Sequence, residues 1–215
     1  MLWSRGLMSL WRLENTALDG SGNGNHGTVH GANYTNGKFG RALDFAGGIA
    51  ADRVTVAHHP SLNPTTGLTF AAWIYPHSSG GGGFGRIVQK STTTAGAAGY
   101  IWCVFTGDKL ILLVNTASGS VTNTALAYNE WQHVAVTVDG SNPSNVIHYR
   151  NGAADGTGTT NPLATLINTA DLLIGNRLTD LARCWDGVID ELQIFNRVLT
   201  PQGIQRVMMG LPPIG

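Results

Sequence analysis

The chain has 215 residues, 13 Lys+Arg against 13 Asp+Glu, a formal net charge of zero and only 12% charged residues, about half the usual share of roughly 25%. Such a balance lacks the basic excess of a nucleic-acid or anionic-membrane binder, and 42% hydrophobic residues exclude a disordered chain. Glycine is abundant at 29 residues, and glutamate occurs only at positions 14, 130 and 191, a mixture poor in helix formers and rich in turn and strand formers.

The first residues, MLWSRGLMSLWRL, carry Arg5 and Arg12 within the apolar run. No small-residue cleavage site follows, so they are not read as a secretory signal. Short apolar or alternating runs then recur between Gly, Asn, Asp, Ser and Pro, at 7–13, 41–45, 53–57, 68–76, 86–90, 100–106, 109–115, 120–128, 130–139, 145–152, 171–176 and 188–196. They predict about a dozen strands. Gly107-Asp108, Asp139-Gly140, Asn151-Gly152 and Asp155-Gly156 suit hairpin turns. The segment 200–209 predicts the one helix, with Thr200 as N-cap, Pro201 at the first helical position, and Gly210 and Pro212 as the stop. The aliphatic run Leu110 to Val114 is far too short to span a membrane.

No composition shift divides the chain, so residues 1–215 are read as one domain. The glycine run 80–83 and the stretch 91–99 read as loop tips. A dozen strands in one domain must form two packed sheets or a barrel. Cys103 and Cys184 do not make a disulfide framework; free buried thiols or one disulfide both remain open.

Six segments, in order, then resemble one family. SLWRLENTALDGSGNGNHGTV resembles the opening strand and Asp-x-Ser-Gly-Asn loop of laminin-G-like domains. GKFGRALDFAGG, LTFAAWIYP, EWQHVAVTVDG and NVIHYRNG are similar to their successive strands. WDGVIDELQIFNRVLTPQGI resembles the closing strand and the short helix after it. The resemblance covers Leu7 to about Met208. It implies an all-β, two-sheet antiparallel sandwich, the concanavalin A-like jelly roll, with one short C-terminal helix.

The loop Asp19 to Gly27 offers a carboxylate, carboxamides and free carbonyls on a chain that bends at glycines. Hard oxygens of this kind suit Ca²⁺; a plain glycine turn held by Asx hydrogen bonds is the alternative. The resemblance implies one structural Ca²⁺ held by Asp19, Asn23, Asn25 and Asp190. Asp190 otherwise stands out as a carboxylate between apolar neighbours, which needs a metal, backbone amides or an arginine.

The same jelly roll carries glucanases, whose catalytic strand sets three carboxylates at alternate positions. Here Val188 takes the middle position between Asp186 and Asp190, and Glu191 points to the other face. No other catalytic motif is present, so no catalytic residue is assigned. A non-catalytic lectin-like module is expected, recognising a glycan or a protein surface. The expected setting is extracellular or a virion surface, with phage capsid or tail proteins among the partners and homo-oligomers allowed; a carbohydrate-binding module of a secreted bacterial protein, or a glycoside hydrolase, are the alternatives. Trp11, Trp73 and Trp131 read as core and His133 as a structural histidine. Tyr34, Tyr75, Trp102, Trp185 and the 77–86 loop are the candidate platforms for a ligand.

Overall fold

The computed structural model describes residues 5–47, 52–93, 99–115, 118–142, 145–163, 168–178 and 180–213. Most of the 91–99 stretch lies outside the described residues. The strands are β1 (Leu7–Trp11), β2 (Gly27–His30), β3 (Asn33–Asn36), β4 (Arg41–Ala46), β5 (Arg53–Val56), β6 (Gly67–Pro76), β7 (Arg86–Ser91), β8 (Gly99–Phe105), β9 (Lys109–Val114), β10 (Ser120–Val121), β11 (Gln132–Asp139), β12 (Val146–Arg150), β13 (Ala153–Gly158), β14 (Leu172–Ile174) and β15 (Asp186–Phe195). The helix α1 (Pro201–Met208) closes the chain, with Thr200 Oγ1 accepting from the Gly203 amide at its N-terminus.

Two antiparallel sheets face each other. One runs β13-β12-β11-β6-β15-β4-β3, and the other β10-β9-β8-β7-β14-β5-β2. β15 has two neighbours on one side. Its first half pairs with β4 from Asp186 to Ile189, and its second half pairs with β1 from Leu192 to Phe195. The change of partner falls on a bulge between Asp190 and Gln193, where Glu191 takes a φ of 48°. The bulge inserts a residue and resets which side chains face inward. Ile189, Leu192 and Ile194 therefore enter the core, while Asp190 does not share a face with Leu192 as a regular strand would require.

Alternation builds the core. Leu68, Phe70, Ala72 and Ile74 of β6 meet Tyr100, Trp102 and Val104 of β8 and Leu110, Leu112 and Val114 of β9 between the sheets. Phe70 stacks on Trp102 at 5.6 Å. A second apolar layer forms where Leu199, Ile204 and Val207 of the C-terminal segment cover Ala71, Ala135, Tyr149 and Phe195 on the outer face of the first sheet. Both cysteines are buried and free.

Several expectations are refined. β2, β3 and β13 are strands the apolar pattern missed. Their side chains are largely half-buried or exposed, so no alternating signal marks them. Asp155-Gly156 lies inside β13 rather than at a hairpin; the turn before it is Asn151-Gly152, both with positive φ. The 120–128 run contributes only two strand residues.

Candidate functional site

On the first sheet, α1 covers the middle of the outer face and stops at Trp73. The Trp73 indole donates to the Met208 carbonyl at 3.0 Å, and the Lys38 ammonium stands 4.4 Å over its ring. One outward position further along β6, beyond this cover, is Tyr75. It makes a tilted pair with Trp131, ring centroids 5.5 Å apart at 60°, and an edge contact with His77 at 5.6 Å. Thr35, Asn36, Asp44 and Val188 complete a hollow of about 250 Å³ around these rings. Tyr75 and Trp131 are half-buried and His77 is exposed.

The polar wall is tied to the sheet. Asp44 pairs with Val188 across β4 and β15. Burial pushes its carboxyl above the ordinary value, His77 opposes that shift, and the charges of Asp186 and Asp52 add to it. Asp186 lies 3.8 Å from His77 Nδ1 and accepts from the Ser78 hydroxyl. The hollow thus offers aromatic faces beside carboxylate, carboxamide and hydroxyl groups, the mixture that grips one face of a ring and its polar rim.

Of the platform residues considered from sequence, Tyr75 and His77 line this hollow. Trp102 and Trp185 are fully buried in the core, and Tyr34 packs against that core. Trp11 and Trp73 are buried as expected, and His133 is buried against Trp73 at 5.4 Å. Trp131 was expected in the core and is not there. The signal was present: Val134, Val136 and Val138 are the inward set of β11, so period two places residue 131 outward.

Of the four residues expected to hold calcium, Asp19, Asn23 and Asn25 gather against β1, but Asp190 does not join them. Asp19 Oδ1 accepts from the amides of Leu10 and Ser21, each at 2.9 Å. Its Oδ2 accepts from the Ser21 hydroxyl at 2.7 Å and the Asn25 amide at 3.0 Å. Asn23 Nδ2 donates to the carbonyls of Leu7 and Met8, and Asn25 Nδ2 to Met8 and to the hydroxyls of Ser9 and Ser61. Asp190 stands instead at the β3–β4 turn, where its Oδ2 accepts from the Phe39 amide at 2.9 Å. A carboxylate surrounded by N–H and O–H donors has its lone pairs occupied, so this arrangement does not fit Ca²⁺. No group of three or more His, Cys, Asp or Glu side chains is placed to hold a metal among the described residues. Of the partners open to Asp190, a backbone amide takes Oδ2, while its buried Oδ1 has no hydrogen-bond partner.

A family model described as the concanavalin A-like lectin/glucanases superfamily matches residues 47–205. The chain belongs to this superfamily. No curated protein matches its sequence. Among solved structures, domain 4 of AbnA, an extracellular arabinanase from Geobacillus stearothermophilus in complex with arabinotriose, is 19% identical, with a TM-score of 0.72 over 94% of this chain and 98% of that one. The binding domain of Paraclostridial Mosquitocidal Protein 1 is 17% identical with a TM-score of 0.73, and that of Botulinum Neurotoxin DC in complex with SialylT is 17% identical with a TM-score of 0.70. They match 94% and 95% of this chain, which spans about half the length of each of them, 51%. At these identities the likeness establishes the superfamily's sandwich in this chain and nothing finer.

Proposed function

We propose that the chain is a non-catalytic, lectin-like glycan-binding module whose sugar site is the hollow around Tyr75 and Trp131. The observation that carries the reading is the tilted, half-exposed Tyr75–Trp131 pair, set at the uncovered end of a sheet face that is otherwise sealed by α1. Asp44, Asn36 and Thr35 stand beside it to take hydroxyl hydrogen bonds. The arabinotriose in the arabinanase domain and the SialylT in the toxin domain support a sugar as the ligand class.

The strand that would carry glucanase chemistry supports the non-catalytic part. Asp190 has no exposed surface, and Glu191 is in an ion pair with Arg12 at 3.2 Å, so neither faces a substrate. A setting outside the cell or on a displayed surface, a phage capsid or tail included, belongs to the same proposal, because a glycan binder must meet the sugar-bearing surface.

A glycan array followed by calorimetry on the strongest ligand tests the reading. Trp131→Ala should weaken binding at least tenfold while the melting temperature stays close to wild type. Unchanged affinity in both Trp131→Ala and Tyr75→Ala refutes this site, and hydrolysis of a polysaccharide that is lost in Asp44→Asn or Asp186→Asn refutes the non-catalytic reading.

A further inference from the structure

The second sheet carries a different hollow on its own outer face. Inward positions of β8 and β9 fill the core, which leaves Ile101, Cys103, Ile111 and Leu113 as a separate apolar cluster on the outside. At one end of that cluster, Phe84, Arg86, Cys103, Phe105, Ile111, Leu113, Arg177 and Arg183 enclose about 240 Å³. Phe84 and Phe105 meet edge to face at 6.1 Å, and the Arg183 guanidinium lies 4.8 Å over the Phe84 ring.

Three arginines gather here in a chain whose net charge is zero. Arg177 is neutralised by Asp180. Arg86 and Arg183 take part in no ion pair among the described residues. Arg86 is only 5% exposed, yet its donors go to neutral groups: Nε to the Gln89 side chain at 3.1 Å and Nη1 to the Phe84 carbonyl at 3.2 Å. Arg183 donates to the carbonyls of Gly81 and Gly82. Burial lowers the Arg86 pKa, the neighbouring Cys103 opposes that shift, and the charges of Arg177 and Arg183 add to it. A buried cation beside a half-buried one, with no anion paired to either, is costly, and an incoming carboxylate offsets that cost.

The lining selects the rest of the ligand. Apart from the arginines it presents aromatic rings, Ile, Leu and a thiol, and no carboxylate, carboxamide or hydroxyl. A polyhydroxylated sugar needs acceptors as well as donors, so this wall suits it poorly. It suits an apolar body with one acidic end.

We propose that this groove binds a small amphipathic carboxylate, its apolar body against Phe84, Phe105, Ile111 and Leu113 and its carboxylate on Arg183 and Arg86. This site is separate from the Tyr75–Trp131 hollow and lies on the opposite sheet. An arginine-carboxylate contact in a half-enclosed site is charge-assisted and geometrically selective.

Amide NMR titration of the full chain with 4-phenylbutyrate tests it, against 4-phenylbutyramide and glucuronate as comparison probes. The acid should shift the amides of Phe84, Ile111 and Arg183, weaken with added salt, and bind at least tenfold more tightly than either comparison. Arg183→Gln should abolish the difference between acid and amide. Because Arg183 also holds the 81–83 turn, Phe105→Ala serves as a second variant: its ring contacts Phe84, and it should weaken the acid severalfold without altering the fold. Trp131→Ala should leave the titration unchanged. Equal binding of acid and neutral amide, stronger binding of glucuronate than of the apolar acid, or shifts confined to the Tyr75–Trp131 face would each overturn the proposal.

Discussion

The Asp190 carboxylate occupies the space that a side chain on residue 37 would need. A Cβ at Gly37 would come within 2.6 Å of Asp190 Oδ2, and within 3.0 Å of the Ala42 Cβ and the Arg41 carbonyl carbon. The same oxygen accepts the Phe39 amide, so the β3–β4 turn and the bulge of β15 fix each other. The glycine is required here by close approach, not by its own backbone angles.

Gly37→Ala should therefore destabilise the fold by about 1–3 kcal/mol, the range for overpacking a tight site. For a chain of this size each kcal/mol corresponds to roughly 2–4 °C in melting temperature. Thermal unfolding followed by circular dichroism checks it. A Gly37→Ala variant that melts with wild type means the carboxylate can move aside at no cost, and the mutual bracing described here is wrong.

Stability should pass through a maximum near pH 6–7. Burial holds the Asp190 carboxyl up at about 7, so the folded state keeps a proton that the unfolded chain has released. That contribution is fully present below the ordinary carboxylate range and is lost as pH rises through about 7. Glu191 shifts in the same direction, by burial. Burial also lowers His133 to about 3 and His148 to about 4, so the unfolded state takes up those protons first on acidification. Their contribution is fully present above about 6.5 and is lost as pH falls. Each proton bound differently is worth about 1.4 kcal/mol per pH unit. Below pH 6.5 the two histidines outweigh Asp190 alone, and Glu191, shifted the same way as Asp190, offsets part of their slope. In Asp190→Asn the rise in stability between about pH 4 and 6.5 should become steeper and the fall between 6.5 and about 7 should shrink, as urea unfolding across pH 4–9 would show; a profile parallel to wild type would point to other groups.

The sandwich was legible because its strands alternate. In β6, β8, β9 and β11 the inward positions are almost all apolar, and the flanking turn residues mark their ends. The helix was legible from Thr200 and Pro201 at its start and Gly210 and Pro212 at its stop. The edge strands were not, since β2 and β3 are half-exposed on both faces and are held by pairing with β5 and β4 rather than by burial. The site was half legible. Tyr75 and His77 were visible as neighbours at a strand end, but Asp44 and Asn36 reach them only through strand pairing between distant segments. Asp190 misled for a related reason: an unsignalled bulge moved it off the face that simple alternation gives it, and the amide that meets its Oδ2 comes from residue 39.

Sugar binding should be lost on acidification at a higher pH than an ordinary carboxylate contact would dictate. Asp44 accepts hydroxyl hydrogen bonds best when ionised, and burial raises its pKa. The affinity of the strongest glycan, measured by calorimetry from pH 4 to 8, should fall as Asp44 takes up its proton. Asp44→Asn should weaken binding at neutral pH and remove most of the acid dependence. An acid dependence that survives unchanged in Asp44→Asn would refute this role of Asp44.

Calcium should not change the melting temperature. The expectation from sequence was a site shared by Asp19, Asn23, Asn25 and Asp190, yet Asp19 spends both oxygens on the amides of Leu10, Ser21 and Asn25 and the Ser21 hydroxyl. The Asn23 and Asn25 side chains direct their N–H groups at β1 carbonyls. These bonds clamp the loop to β1 without an ion, so binding linkage, about 2.7 kcal/mol at a hundredfold excess over a dissociation constant, should be absent. Scanning calorimetry in EGTA and in millimolar calcium should give the same transition. Asp19→Ala should lower it in both buffers alike, because it strips partners from buried donors at about 1–3 kcal/mol. A transition that rises with calcium in wild type, and no longer does so in Asp19→Ala, would show that the loop rearranges around the ion and would restore the calcium reading.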